Sequence, residues 1–164
     1  MGERSNLALY PGSFDPMTFG HLDLIRRSRR LYDRVLVGVA HGHHKQTLFS
    51  PEERVAMIRE ACAGIDGVEV KSFSDLLVHF ARREGARVII RGLRVISDFE
   101  YEFQMALTNR KIDPDFEVVF LMPSEQWSYL NSTVVKEIAR LGGSVEQFVP
   151  PVIARRLAEK LGKA

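Results

Sequence analysis

With 164 residues, 45% of them hydrophobic and 27% charged, the chain can build one domain with a real core and has the composition of an ordinary soluble globular protein. A net charge of +2 is too mild to make nucleic acid its main partner. The single cysteine, Cys62, excludes an intrachain disulfide and a cysteine metal cluster.

The first residues, Met1-Gly2-Glu3-Arg4-Ser5-Asn6, lack the apolar core of a signal peptide. No apolar run approaches the roughly 20 residues of a membrane span. A soluble cytoplasmic protein is therefore expected. Residues 7–10 read as a short buried strand, and a helical period comes next over 20–31, with Leu22, Leu24, Ile25 and Leu31 on its apolar side. Residues 35–39 form a continuous apolar run, the pattern of a strand covered on both faces. Ser50-Pro51-Glu52-Glu53 is a helix start, with Ser as N-cap, Pro at the first position and Glu three residues on. Val55, Ile58 and Cys62 mark that helix's apolar face.

Residues 68–70 read as a third strand. Ser74-Asp75 is expected to cap a helix that buries Leu76, Leu77, Phe80 and Ala81. A fourth strand over 87–90 ends at Arg91-Gly92. Ser97 or Asp98 is expected to cap the next helix, whose Phe99, Phe103, Ala106 and Leu107 follow helical spacing toward the core. A fifth strand over 117–122 ends at Pro123. Ser132 begins a helix with Val135, Ile138, Ala139 and Leu141, closed by Gly142-Gly143, and Pro150-Pro151 precedes a last helix.

This alternation predicts an α/β fold: a five-stranded, mostly parallel sheet with helices on both faces, in one domain over residues 1–164. Ligands in such folds bind beyond the carboxyl ends of the strands. The loops after the first, second, fourth and fifth strands should therefore converge.

The first loop, Tyr10-Pro11-Gly12-Ser13-Phe14-Asp15-Pro16-Met17-Thr18-Phe19-Gly20-His21, joins a strand to a helix. That is a setting for phosphate, because N–H groups at a helix start lack partners inside the helix. Gly12 and Gly20 are expected to let backbone approach closely, with His21 at the helix mouth. Neither G-x-G-x-x-G nor G-x-x-x-x-G-K-[ST] occurs, which disfavours a dinucleotide dehydrogenase and a P-loop enzyme.

The second loop carries Lys45, a point charge suited to phosphate. Its neighbours His41, His43 and His44 lack a carboxylate or cysteine companion and are read as solvated, without a metal role. In the third loop, Arg91-Gly92-Leu93-Arg94 sets arginine forks, which match phosphate oxygens, at the end of a buried strand. Asp98-Phe99-Glu100-Tyr101-Glu102 comes after it, with Tyr101 and Glu102 as candidates to face the site. The fourth loop, from Pro123 through Thr133, offers hydroxyl and amide donors before a second helix N-terminus, with Ser132 or Asn131 as its plain cap.

Gly12-Ser13-Phe14-Asp15-Pro16 followed by Thr18-Phe19-Gly20-His21 resembles the signature of the nucleotidyltransferase superfamily, in its T-x-G-H form. Arg91-Gly92-Leu93-Arg94, Asp98-Phe99-Glu100-Tyr101-Glu102 and Trp127-Ser128-Tyr129 narrow that. They resemble the R-G-L-R, D-F-E-Y-E and W-S-[FY] signatures of the phosphopantetheine adenylyltransferases, in the same order and spacing.

The resemblance implies a Rossmann-like nucleotidyltransferase fold and attack of the 4′-phosphopantetheine phosphate on the α-phosphorus of ATP, giving dephospho-coenzyme A and pyrophosphate. It implies that His21 stabilises the transition state and that Ser13 and Phe14 form a turn shared by both substrates. Lys45 and Arg91 would hold the pantetheine phosphate, and Leu77 would touch the pantetheine arm. ATP would be held by Gly92, Leu93, Arg94, Glu102, Trp127, Ser128, Tyr129, Leu130, Asn131, Ser132 and Thr133. It further implies Mg²⁺ arriving with ATP, a homohexamer, and feedback inhibition by coenzyme A. Ser13 stands where many relatives carry Thr, and Asn131 where the I-S-S-[ST] run has Ser. The alternatives are another small-molecule adenylyltransferase, such as one for nicotinate mononucleotide, or a non-catalytic module that binds coenzyme A or a nucleotide.

Overall fold

The computed structural model describes residues 6–42, 46–94 and 96–162. Its strands are β1 (Leu7–Gly12), β2 (Arg34–Ala40), β3 (Val68–Phe73), β4 (Val88–Gly92) and β5 (Glu117–Leu121). They form one sheet in the order β3-β2-β1-β4-β5, and every pairing is parallel. The helices are α1 (Phe19–Ser28), α2 (Pro51–Ala61), α3 (Leu77–Glu84), α4 (Ile96–Ile112), α5 (Ser132–Arg140) and α6 (Pro151–Lys160), with a short 3₁₀ turn at Glu125–Trp127.

Side chains alternate across a strand, so a strand covered on both faces feeds two cores. In β1, Ala8 and Tyr10 enter one core, and Leu7 and Leu9 the other. In β2, Val35, Val37 and Val39 face the first core and Leu36 the second. The larger core takes Leu24 and Ile25 from α1, Met57 and Ile58 from α2, Val135 from α5, and Ile153 and Leu157 from α6. The smaller is closed by Val78, Phe80 and Ala81 of α3, with Phe80 stacked on Phe73 at 4.5 Å between ring centres. Cys62 is buried at the end of α2, and burial pushes its thiol up to about 11, leaving it protonated and unreactive at neutral pH.

The start of α2 follows its sequence signal. Ser50 Oγ accepts the Glu53 N–H at 3.1 Å, and Glu53 Oε2 accepts the Ser50 N–H at 2.7 Å. Four other helices differ from expectation. Helix α3 starts two residues later than the Ser74-Asp75 signal suggests, with Leu76 at the cap position and no side-chain cap bond. Asp75 instead pairs with Arg83 at 2.6 Å, and Leu76 stays exposed. Helix α4 begins at Ile96, so Ser97 and Asp98 lie inside its first turn rather than capping it. Its Phe99, Phe103 and Leu107 are exposed, the last at 51%, and do not enter the core. Helix α1 ends at Ser28, whose hydroxyl donates to the Leu24 carbonyl at 2.6 Å, and leaves Leu31 outside and exposed. Leu141, at the C-cap of α5, is 82% exposed.

Replacing Ser50 by Ala should lower stability by about 1 kcal/mol. Ser50→Thr should retain most of it, as read by chemical denaturation at fixed protein concentration.

Candidate active site

The strand order reverses between β1 and β4, whose neighbours run outward in opposite directions. A crevice opens beyond the carboxyl ends of strands at such a reversal. Here it is a cleft of about 340 Å³, walled by the four loops after β1, β2, β4 and β5. The expected convergence therefore occurs.

His21 is the third residue of α1. Its Nδ1 accepts the Thr18 backbone N–H at 2.9 Å, the part a glutamate plays in a capping box. A ring nitrogen that accepts an amide N–H carries no proton, so the neutral ring carries its proton on Nε2. Burial first, and the Arg94 charge second, pull the His21 pKa down to about 4. The ring is thus a neutral donor at physiological pH. The first N–H of α1 is taken inside the protein: that of Phe19 goes to the Phe148 carbonyl at 2.9 Å. What the first loop presents to the cleft is His21 and the Ser13–Phe14 turn more than a bare helix end.

Phe14 has φ 49°, in the left-handed region that aromatic residues rarely enter. Its ring meets Tyr10 and His21 edge-on, at 5.4 and 5.1 Å. A Cβ on Gly12 would lie 3.0 Å from the Phe14 ring, a contact so tight that the ring would have to give way, so close approach favours glycine there. At Gly20 the same Cβ would find only an ordinary 3.5 Å contact, so that part of the expectation fails. Tyr10 lies beneath the cleft, and burial raises its phenol so that it stays protonated.

Arg91 is held by a two-pronged bridge to Glu102, with Nε to Oε2 at 2.7 Å and Nη2 to Oε1 at 2.5 Å. Its Nη1 donates to the Pro11 carbonyl at 3.0 Å. Burial alone would lower the Arg91 pKa, but the Glu102 fork outweighs it and holds the guanidinium firmly charged. Arg94 pairs with Asp98 at 3.3 Å and donates to the Leu130 carbonyl at 3.0 Å. Lys136 of α5 meets Asp15 at 2.8 Å. Among the described residues, each of these cations lining the cleft is matched by a carboxylate that also lines it.

The fourth loop is fastened to the first helix. Ser124 donates through its N–H and hydroxyl to Asp23, at 2.8 and 2.9 Å, and Trp127 lies against Phe19 at 5.1 Å. Asn131 caps α5 by accepting the Val134 N–H at 2.8 Å, while the Ser132 hydroxyl donates to the Pro16 carbonyl at 2.7 Å. Asn131 is therefore the cap of the two candidates.

Of the residues singled out in the sequence, Ser13, Phe14, His21, Arg91, Gly92, Arg94, Glu102, Trp127, Leu130, Asn131, Ser132 and Thr133 line the cleft. Leu77, Leu93, Ser128 and Tyr129 are not among its lining. Leu77 packs against the second core, and the Leu93 N–H is bound to the Leu121 carbonyl at 3.0 Å. Ser128 donates its hydroxyl to the Glu125 carbonyl, and Tyr129 is exposed. Tyr101, the other candidate from the third loop, is 62% exposed on α4. His43, His44 and Lys45 lie outside the described residues.

Asp15, Arg54 and Lys136 escape a reading of the sequence alone. Asp15 accepts the N–H groups of Leu48 and Phe49, each at 2.9 Å, as well as Lys136. Arg54 reaches from α2 to the carbonyls of Ser13, at 2.5 Å, and Ala40, at 2.8 Å.

Comparison with known proteins agrees with this geometry. The model of the cytidylyltransferase-like family matches residues 9–138. The chain is 54% identical over 156 residues to a phosphopantetheine adenylyltransferase of Moorella thermoacetica, covering 95% of this chain and 98% of that one. It is 54% identical over 160 residues to a phosphopantetheine adenylyltransferase of Nitratidesulfovibrio vulgaris, covering 98% and 86%. A solved structure described as a putative nicotinate-nucleotide adenylyltransferase from Vibrio parahaemolyticus superposes with a TM-score of 0.69 over 96% of this chain and 94% of that one. At 16% identity that likeness carries the fold alone. The chain therefore belongs to the cytidylyltransferase-like family and, within it, to the phosphopantetheine adenylyltransferases.

Proposed function

We propose that the chain transfers the adenylyl group of ATP to 4′-phosphopantetheine, forming dephospho-coenzyme A and pyrophosphate. The observation that carries this reading is the His21 ring, held by the Thr18 N–H at Nδ1 so that Nε2 is its free donor, in a cleft shared by all four predicted loops. An oxygen of the pantetheine phosphate attacks the α-phosphorus, and the bond to the oxygen bridging the α- and β-phosphorus breaks. The attacking phosphate is already an anion, so no strong base is required. Positioning and charge stabilisation then carry the catalysis. His21 donates from Nε2 to the α-phosphate as its charge builds, and a neutral donor of fixed orientation needs no reorganisation during the step.

Arg91, oriented by Glu102, and Lys45 hold the pantetheine phosphate in this reading. Ser13 and Phe14 serve both substrates, and Leu77 touches the pantetheine arm. The nucleotide is assigned to Gly92, Leu93, Arg94 and Glu102 and to the loop from Trp127 through Ser128, Tyr129, Leu130, Asn131, Ser132 and Thr133. Mg²⁺ would enter on the triphosphate. The carboxylates of the cleft, Asp15, Asp98 and Glu102, are already engaged by Lys136, Arg94 and Arg91, which favours an ion held by phosphate oxygens over a protein cage.

Coenzyme A contains the product within its own structure, so it is proposed as a feedback ligand of the same cleft. The exposed apolar side chains of α4, including Phe99, Phe103, Met105 and Leu107, support assembly into a homohexamer. No described helix is long and apolar enough to cross a membrane, and a cytoplasmic site is proposed for the reaction.

Incubation with ATP, Mg²⁺ and 4′-phosphopantetheine should release pyrophosphate. Release with nicotinate mononucleotide but not with 4′-phosphopantetheine would reassign the substrate.

His21→Ala should lower kcat by roughly 10²–10³-fold while nucleotide affinity largely survives. Equal losses of both would make His21 a pocket-shaping residue. In the intact protein, NMR should find the His21 ring titrating near 4 and neutral across pH 6–9. The unfolded ring, with its ordinary value near 6.5, binds the proton first. The stability that a neutral His21 contributes is thus complete above pH ~6.5 and lost as pH falls toward ~4.

Arg91→Ala should raise the KM for 4′-phosphopantetheine more than that for ATP. The reverse ordering would move Arg91 to the nucleotide half of the site.

A further inference from the structure

We propose that Arg54 is a positioning residue for adenylyl transfer, acting through the Ser13–Phe14 peptide; this rests on reading the cleft as an adenylyl-transfer site. Arg54 lies in the first turns of α2 and is fully buried, at 0% exposure. Among the described residues it forms no salt bridge. Its guanidinium instead fans out to backbone carbonyls. Nε reaches Phe49 at 3.1 Å and Ser50 at 3.3 Å, Nη1 reaches Ser13 at 2.5 Å and Ala40 at 2.8 Å, and Nη2 makes a longer contact with His41 at 3.5 Å.

A buried cation without a carboxylate in contact is costly unless its donors are met. An apolar residue at this position would continue the buried row of Ile58 and Cys62, four and eight residues on. The arginine is accounted for by what it holds. Its carbonyl partners lie on the turn after β1, at the carboxyl end of β2 and at the start of α2. One side chain therefore fixes two walls of the cleft to each other. Asp15 complements it on the amide side, accepting the Leu48 and Phe49 N–H groups from the same segment.

The bond to Ser13 sets the peptide plane. In a trans peptide the C=O and the next N–H point in opposite directions. With the Ser13 carbonyl bound by Arg54, the Phe14 N–H of the same peptide is directed the opposite way, in a turn whose two residues line the cleft. The next residue, Phe14, has a φ of 49° and its ring lies 5.1 Å from His21. Arg54 thereby acts on the donor geometry of the turn and, through the Phe14 ring, on the packing of His21, without touching substrate.

The test compares Arg54→Met, which is long and apolar, with Arg54→Lys, which keeps the charge but not the fan. Arg59→Met on the same helix is the control: Arg59 is exposed and donates to the Val70 carbonyl at 2.8 Å, away from the cleft. Kinetics are measured in the full-length protein, well below each variant's melting temperature, with circular dichroism verifying that it is folded. Displacement of a positioned group by about 1 Å costs on the order of a hundredfold. Folded Arg54→Met should therefore lose kcat on that scale, with a smaller change in the KM for ATP. Arg54→Lys should fall between it and wild type, and Arg59→Met should keep wild-type kcat. A folded Arg54→Met with wild-type kcat overturns the role. If Arg54→Met does not fold, Arg54→Lys with a lowered melting temperature but wild-type kcat overturns it equally. Wild-type protein that releases no pyrophosphate from ATP and 4′-phosphopantetheine overturns the functional reading, and this role with it.

Discussion

Strand β1 is paired on both edges and buried on both faces, and the rest of the molecule is arranged around that constraint. Its odd and even side chains belong to different cores, so it can neither slip by one residue nor rotate without exposing apolar surface on both sides. Being central, it also marks where the strand order reverses. The residues just beyond its carboxyl end must stand in the crevice between two diverging sets of crossovers. Those residues are Ser13, Phe14 and Asp15, and their position is a consequence of sheet topology before any specific bond is counted.

The electrostatics of the cleft answer a second constraint. A site for polyanions needs cations, but cations lodged together in a partly buried cleft repel each other and lose hydration. The solution seen here is local neutrality. Arg91, Arg94 and Lys136 are matched one to one by Glu102, Asp98 and Asp15. These partners also aim the cations: the Glu102 fork holds the Arg91 guanidinium in one plane. The pairs differ in exposure, with Lys136 and Asp15 the most enclosed and Arg94 and Asp98 the most open. An incoming phosphate can exchange places with the carboxylate most cheaply at the open pair, where water already screens the attraction.

Much of this is legible in the sequence, for a physical reason. Strands covered on both faces give continuous apolar runs, so β2 and β4 are recognisable as such, and the Ser50 signal locates α2 to the residue. Loops at the carboxyl ends of parallel strands must converge, so the cleft can be assembled from the order of its loops. Helix α4 misleads, because helical spacing of Phe99, Phe103 and Leu107 marks an apolar face without saying what covers it. Asp75 misleads because a residue suited to capping can equally pair with Arg83. Arg54 is easily overlooked, although it leaves a trace. It occupies the same register as Ile58 and Cys62, on a helix face that reads as apolar, and a charge at a core position signals a buried polar task.

His21 joins these arguments. An ordinary capping box would have spent a glutamate on the first free N–H of α1. Here an imidazole does so, and the one bond has two effects. It completes the helix start, so the ring's position is set by backbone that the larger core already holds. It also removes the proton from Nδ1, so tautomer and orientation are fixed together. Burial beside Arg94 then keeps the ring neutral, with its pKa near 4. A protonated His21 would carry protons on both nitrogens and would have to surrender the Thr18 N–H. The folded helix start and the neutral state of the ring are therefore the same condition. An acid pH that charged the ring would damage the cap and the donor geometry at once.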